Sequence, residues 1–129
     1  MRKIEKLLLA DDDPNILFIA EMGLEDTPEW TVITAQSGQE AIDKASSEKP
    51  DAIVLDMMMP GMDGTMTFNK IKQNPETAAI PIVFLTAKVQ LDEIEAYLKM
   101  GAAGVITKPF DPMKLSDELK AIFAEVSSH

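Results

Sequence analysis

The chain has 129 residues, of which 46% are apolar and 26% are charged, and this size and composition fit one folded domain. Its 12 Lys and Arg against 22 Asp and Glu give a net charge of −10, which repels nucleic-acid backbones and argues against a direct nucleic-acid partner. Cysteine is absent, which excludes disulfides, thiolate zinc sites and cysteine nucleophiles. Because no membrane-spanning stretch or signal-peptide core is apparent, we expect a soluble, cytoplasmic protein with no membrane partner.

Short apolar runs alternate with amphipathic stretches of helical length along the whole chain. Runs without polar alternation suit strands that are buried on both faces, and the two weaker runs suit edge strands. In chain order, the pattern predicts strands at residues 7–10, 31–35, 52–55, 82–85 and 104–107, the second and fifth being the edge strands. It predicts one helix that begins at residue 14 and four further helices that span residues 38–48, 64–73, 90–100 and 112–126.

The predicted helix starts carry specific signals. Asp13 can cap a first turn in which Pro14 occupies the first position, and the same pair recurs at residues 111–112. Ser37 followed by Glu40 three residues later is typical of a capping box. Five strands and five helices in strict alternation indicate right-handed crossovers and a doubly wound α/β domain with a parallel sheet. We therefore expect one domain over residues 1–129, without a linker or an attached effector.

Polar side chains follow four of the five predicted strands. In open parallel sheets the ligand site lies beyond the carboxyl ends of the strands. A helix cap explains Asp13, and solvated loop residues remain an alternative for Asp11 and Asp12. Asp56 directly ends a buried run, where an unpaired carboxylate is costly. The residues that follow the first, third, fourth and fifth strands are, in that order, Asp11 with Asp12 and Asp13, then Asp56, Thr86 and Lys108.

Three carboxylates at one edge of a sheet repel one another, by roughly 3 kcal/mol for each pair about 5 Å apart at an effective dielectric constant near 20. Either they share protons, or they bind a hard divalent cation through oxygen, for which Mg²⁺ is the natural candidate. Lys108 adds a fixed positive charge to the same edge. A cation, a lysine and a hydroxyl that face a carboxylate suit a phosphoryl group, with the carboxylate as a possible nucleophile.

With these residues in this order, the sequence resembles the receiver domain of two-component response regulators, in particular single-domain regulators of the chemotaxis type. The resemblance covers nearly the whole chain and implies a flavodoxin-like sheet with the strand order 2-1-3-4-5. It rests on Asp11, Asp12, Asp56, Thr86 and Lys108 in this order and spacing, and on the local sequences at residues 7–14, 56–64, 85–87 and 108–110.

The resemblance implies a phosphoacceptor that catalyses only its own phosphorylation and dephosphorylation. Asp56 would accept a phosphoryl group from a phosphohistidine on a sensor histidine kinase or phosphotransfer protein, or from a small phosphodonor. Mg²⁺ would be held by Asp12 directly, by Asp11 through water, by Asp56 and by the main-chain carbonyl of Met58. Lys108 would offset charge on the transferred group, and in this family the Lys-Pro peptide that follows it is usually cis.

The resemblance also implies a switch in which the Thr86 hydroxyl binds a phosphoryl oxygen. In the family, this shift is coupled to an aromatic ring on the fifth strand. Here Val105 occupies the aromatic position, and a β-branched valine cannot swing as a ring does. We therefore expect the output to run through residues 86–91 and the fourth helix, changing the surface around this helix and the fifth strand. The partner there is an unknown downstream protein, and the chain is either a monomer or a phosphorylation-dependent dimer.

Two other functions compete with the receiver as interpretations of these residues. A phosphate-independent binding module would be favoured by a change at Asp56, Lys108 or the acidic pair, all of which are intact. A metal-dependent phosphohydrolase typically has a second Asp two residues after its nucleophile, where this chain has Met58. It also needs residues for a cap domain, for which these 129 residues leave no room. Both are therefore less favoured than the receiver.

Several apolar residues have structural interpretations. Met57 and Met59 are expected to fill gaps at a buried strand exit while the Met58 side chain faces solvent, and a soft-metal site in residues 57–62 is disfavoured. Pro60 with Gly61 and Asp63 with Gly64 are expected to mark turns, where glycine permits backbone shapes that other residues resist, and His129 is expected to be an unstructured tail. Core spacing predicts that the fourth helix packs through Leu91, Ile94 and Leu98, with Tyr97 and Met100 at its periphery, and structural roles are expected for Phe18, Trp30, Phe68, Phe84, Phe110 and Phe123.

Overall fold

A computed structural model describes residues 4–25, 27–59, 61–87 and 90–127, with side chains described as far as residue 124. Pro60, His129 and residues 88–89 of the predicted output loop lie outside the described residues. The strands are β1 (Lys6–Ala10), β2 (Thr31–Ala35), β3 (Ala52–Asp56), β4 (Ile82–Thr86) and β5 (Gly104–Thr107). The helices are α1 (Pro14–Gly23), α2 (Gly38–Glu48), α3 (Gly64–Gln73), α4 (Leu91–Met100) and α5 (Leu115–Ser127).

All strand pairs are parallel, and the order in the sheet is β2-β1-β3-β4-β5, which confirms the predicted doubly wound fold and its edge strands. Side chains of the central strands alternate between the two faces. In β1, Leu7 and Leu9 pack with residues of α1 and α5, whereas Leu8 and Ala10 pack with residues of α2 and α3. Both faces of the sheet are thus covered, which is why these strands lack polar alternation.

Two helix starts match their sequence signals. The Asp13 carboxylate accepts a hydrogen bond from the Asn15 N–H at 2.9 Å, and the Ser37 hydroxyl accepts one from the Glu40 N–H at 3.0 Å. Glu40 accepts in turn from the N–H of Gln36, one residue before the position expected for a capping box. That hydrogen bond and one from Lys44 lower the pKa of Glu40.

The start of the last helix differs from the prediction. Asp111 does accept a hydrogen bond from the Met113 N–H at 2.9 Å, but residues 112–114 form turns and α5 begins at Leu115. The Lys114 N–H bonds to the Asp111 carbonyl, three residues back, which closes a turn tighter than an α-helix. The Asp-Pro pair therefore opens a turn that leads into the helix.

The predicted packing face of α4 is wrong in part. Leu91 is 80% exposed and Leu98 is also exposed, while Ile94 and Tyr97 are half-buried. The Tyr97 ring packs edge-on against Phe84 of β4, with ring centroids 5.0 Å apart. The helix therefore packs against the sheet through Tyr97, and Ile94, three residues earlier, is its other half-buried residue.

One aromatic residue also departs from its predicted structural role. Phe18 is exposed on α1, beside the exposed Ile19 and Met22. The other five aromatic residues of that group are buried in a core or half-buried against one, as expected. Among them, Phe68 and Phe84 form a second edge-on pair, with ring centroids 5.2 Å apart. One side of α1 is thus an apolar surface that the sheet does not cover.

Candidate functional site

Two neighbouring strands bring the predicted acidic residues together at their carboxyl ends. Asp11 follows β1 and Asp56 ends β3, and the two strands are paired in the sheet. Asp11 and Asp56 are buried, whereas Asp12 is exposed. One carboxylate oxygen from each of the three lies within 4.8 Å of the others. The predicted clustering of these carboxylates is therefore confirmed.

Lys108, which follows β5, reaches two of these carboxylates. Its Nζ lies 2.8 Å from Asp11 Oδ2 and 3.4 Å from Asp56 Oδ1. The Lys108 N–H donates to the carbonyl of Thr86 at 2.7 Å, which ties the residue to the end of β4. The Lys108-Pro109 peptide bond is cis, as expected. The lysine thus contacts both buried carboxylates and lies closer to Asp11.

The backbone next to the acidic residues is also hydrogen-bonded to them. The Asp13 N–H donates to Asp11 Oδ1 at 2.9 Å, and the Met58 N–H donates to Asp56 Oδ1 at 3.2 Å. The Met57 N–H donates to the Leu85 carbonyl of β4 at 3.0 Å. These contacts fix the chain on both sides of the carboxylates before any ligand binds.

Burial and the charges in this site shift two pKa values upward. Burial raises the pKa of Asp56 to about 6; the Met58 hydrogen bond opposes the shift, the Asp11 charge adds to it, and Lys108 opposes it. Burial alone would lower the pKa of Lys108, but its contacts with Asp11 and Asp56 raise it. Asp56 is therefore a buried carboxylate whose charge is only partly offset, and it lies beside an amine whose charged form the two carboxylates favour.

The donor set of this site fits a hard divalent cation. Three carboxylates against one ammonium leave two negative charges when all four groups are ionised, and the atoms that meet are oxygens. Mg²⁺ prefers such oxygen ligands and usually keeps several waters, which the exposed side of Asp12 leaves room for. A metal held here would also offset the charge that raises the pKa of Asp56.

Thr86 lies at the same edge of the sheet. It ends β4 and follows Leu85, the residue that is paired with Asp56, and its side chain is buried. Val105 on β5 is half-buried and packs against the cluster that holds Phe84 and Tyr97. Val105 is paired with Phe84 of β4 in the sheet, and Tyr97 of α4 packs edge-on against that Phe84 ring.

Gly64 shapes the site in a way that the sequence did not reveal. The Asp63 side chain caps α3 by accepting from the Met66 N–H, and Gly64 begins the helix. A Cβ atom at Gly64 would lie 2.6 Å from Met57 Cα and 2.8 Å from the Asp56 carbonyl oxygen. Its turn position suggested a need for unusual backbone angles, but among the described glycines positive φ values occur at Gly61 and Gly101. Gly64 is instead required for close approach to the backbone beside Asp56.

The comparison with protein families matches residues 7–120 to the response regulator receiver domain. Among curated proteins, the Bacillus subtilis alkaline phosphatase synthesis transcriptional regulatory protein PhoP is 39% identical over 118 residues, covering 92% of this chain and 48% of PhoP. Pseudomonas aeruginosa protein PilH is 30% identical over 119 residues, covering 92% of this chain and 98% of PilH. The chain thus spans about half the length of relatives such as PhoP and nearly all of PilH.

Solved structures agree with this assignment. A response regulator from Chloroflexus aurantiacus superposes with a TM-score of 0.83 at 34% identity, covering 95% of this chain and 99% of that protein. The chemotaxis response regulator CheY4 of Vibrio cholerae gives 0.84 at 29% identity, covering 93% and 99%. Within the described residues, no helix has the length and apolar character needed to cross a bilayer. The sequence, the fold and these comparisons agree that the chain belongs to the family of response regulator receiver domains.

Proposed function

We propose that this chain is a phosphoacceptor switch, in which Asp56 accepts a phosphoryl group from a phosphohistidine on a sensor histidine kinase or phosphotransfer protein. The observation that carries the proposal is the burial of Asp56 within reach of one lysine and two further carboxylates. The carboxylate oxygen attacks phosphorus, the bond from phosphorus to the donor nitrogen breaks, and the donor keeps that electron pair. Water later attacks phosphorus, the bond from phosphorus to the Asp56 oxygen breaks, and the carboxylate is restored as inorganic phosphate leaves.

In this proposal the acidic residues also hold Mg²⁺. Asp12, Asp56 and the Met58 carbonyl would bind it directly, and Asp11 through water, which suits the hydrogen bond and ion pair that Asp11 already makes. When bound, Mg²⁺ supplies charge that offsets the phosphoryl oxygens. The chain's own contribution is to place Asp56 with one oxygen held by the Met58 N–H, so that its orientation is set before the donor arrives.

Lys108 and Thr86 are proposed to contact the transferred group. The Lys108 Nζ lies within 3.4 Å of Asp56 Oδ1, so a phosphoryl group on that carboxylate would lie beside the ammonium. Thr86 ends the neighbouring strand, where its hydroxyl would donate to a phosphoryl oxygen. The chain would thereby catalyse its own phosphorylation and dephosphorylation and act on no external substrate.

We further propose that residues 1–129 form one receiver domain that works in the cytoplasm, as a monomer or a phosphorylation-dependent dimer. Neither a membrane nor nucleic acid is a proposed direct partner of this domain, whose net charge of −10 repels phosphate backbones. Its output would be read by a downstream protein that contacts α4 and β5.

The packing of α4 supports this choice of output surface. Among the described residues of α4 none is fully buried, and Tyr97 packs against the sheet through the Phe84 ring. An element with few buried contacts is easily displaced. Hydrogen exchange of α4 amides should change when a phosphoryl mimic occupies the site, while α2 amides should not. Superposition of residues 86–91 and α4 with and without the mimic would contradict this proposal.

The phosphoacceptor proposal is tested with a radiolabelled small phosphodonor in the presence of Mg²⁺ or of a chelator. We expect label in the native chain with Mg²⁺ and none in Asp56→Asn. Asp13→Asn is the matched control, because Asn also caps a helix and Asp13 lies outside the cluster of three carboxylates. Incorporation into Asp56→Asn at the native rate, or a native rate that is indifferent to chelator, would overturn the proposal.

A further inference from the structure

Three consecutive methionines leave β3 beside Asp56, and their exposure differs sharply. Met57 and Met59 are 6% and 5% exposed and belong to the core, whereas Met58 is 73% exposed. The backbone at Met58 is fixed, because its N–H donates to Asp56 Oδ1 and the Met57 N–H donates to β4. One thioether is thus held at the rim of the phosphoacceptor site and open to solvent.

An exposed thioether has a chemistry that buried ones are shielded from. A hydroperoxide transfers one oxygen atom to sulfur: the O–O bond breaks, sulfur loses two electrons to form the sulfoxide, and water or an alcohol leaves. The reaction converts an apolar side chain into a polar one and is reversible by enzymatic reduction. Met57 and Met59 are buried, so the same reagent reaches their sulfur atoms only when the core opens.

We propose that Met58 is a site of reversible oxidation by hydroperoxides, and that its sulfoxide slows the acceptance of a phosphoryl group by Asp56. This inference rests on the proposed function and adds its regulation. The sulfoxide oxygen carries partial negative charge at the rim of a site that already holds three carboxylates, and every phosphodonor arrives as an anion. Oxidation therefore raises the electrostatic barrier to the donor, by an amount that corresponds to about a threefold loss of rate.

The first experiment measures where the chain is oxidised. After brief treatment of the full chain with hydrogen peroxide, peptide mass spectrometry should find the sulfoxide of Met58 at least about ten times more abundant than those of Met57 and Met59. Met113 is 80% exposed and should react as readily, which makes it an internal reference for an accessible thioether. Equal oxidation of all three consecutive methionines would overturn the proposal.

The second experiment compares each protein's labelling rate by the small phosphodonor before and after peroxide. The native chain and Met113→Leu should lose about threefold, and Met58→Leu should lose nothing relative to its own starting rate. Treatment with methionine sulfoxide reductase should restore the native rate, and Met58→Gln should label more slowly than Met58→Leu because its amide also places a polar oxygen at the rim. Loss of rate in Met58→Leu equal to that of the native chain would refute the inference.

Failure of this inference is distinguishable from failure of the proposed function. A native chain that labels well and keeps its rate when Met58 is oxidised contradicts only the regulation. A native chain that takes no label even before peroxide contradicts the proposed function and, with it, the regulation. An equal melting temperature before and after oxidation checks that the rate loss is local to the site, and a large drop would contradict the electrostatic explanation.

Discussion

Asp56→Asn should stabilise the fold in buffer without divalent cations, although it removes the proposed nucleophile. Burial, with a contribution from Asp11, raises the pKa of Asp56 from 3.8 to about 6, so folding disfavours its ionised form. Asn keeps an oxygen that can accept from the Met58 N–H, and Lys108 keeps its 2.8 Å contact with Asp11. The substitution also removes the 3.4 Å ion pair of Asp56 with Lys108, but the pKa of Asp56 is raised despite that pair, so a net cost is removed.

The size and sign of the effect follow from that shift. Because the folded-state pKa lies above the unfolded value, the stabilisation from protonated Asp56 is complete below pH 3.8 and is lost as the pH rises through about 6. The unscreened shift corresponds to about 3 kcal/mol, and we take about half of it because water reaches the exposed side of the site. Asp56→Asn should thus gain about 1.5 kcal/mol at pH 7.5 and about a third of that at pH 4.5.

Urea denaturation of both proteins at the two pH values, in chelator, measures this difference. Asp12→Asn serves as the control, because it removes an exposed carboxylate from the same cluster and should change stability by less than about 0.5 kcal/mol. Added Mg²⁺ should stabilise the native chain more than Asp56→Asn and so reverse the order. Lower stability of Asp56→Asn than of the native chain at pH 7.5 in chelator, or an equal gain at pH 4.5, would refute this explanation.

Three further substitutions test other parts of the site and its support. Lys108→Ala should slow labelling by the phosphodonor at least about tenfold while Mg²⁺ affinity changes little, and an unchanged rate would count against its contact with the phosphoryl group. Gly64→Ala should cost about 2 kcal/mol in urea denaturation, because its Cβ would strike the Met57 backbone; a neutral result would show that α3 shifts freely. Tyr97→Leu should cost about 1–2 kcal/mol through loss of the ring pair with Phe84, and equal stability would mean that α4 is held elsewhere.

Much of the fold was predictable because the central strands are buried on both faces. Continuous apolar runs such as residues 52–55 have few structural alternatives when turn signals flank them, and a strict alternation with helices leaves one sheet architecture. The acidic cluster was predictable for the same reason, since parallel strands deliver Asp11 and Asp56 to the same edge. The sequence also placed Lys108 there, but its closer approach to Asp11 than to Asp56 depends on side-chain geometry that spacing does not contain.

The predictions that failed depend on contacts between residues that are distant in the sequence. Periodicity identified α4, but two overlapping apolar stripes run along it, and the position of the helix over the sheet decides which one packs. Tyr97 contacts Phe84 of β4, so its stripe is buried in part and Leu91 is left in solvent. Likewise, Gly64 looked like a turn residue because the Met57 backbone that it approaches is brought close only by the tertiary fold.

The division of the core by the sheet has a practical consequence for optical measurements. The chain contains one Trp and one Tyr. Trp30 packs edge-on against Phe123 on the α1 and α5 side, with ring centroids 6.0 Å apart, whereas Tyr97 packs on the side of α2 and α3. Each layer of the molecule therefore carries its own intrinsic chromophore, and signals from the two layers can be followed separately in one unlabelled sample.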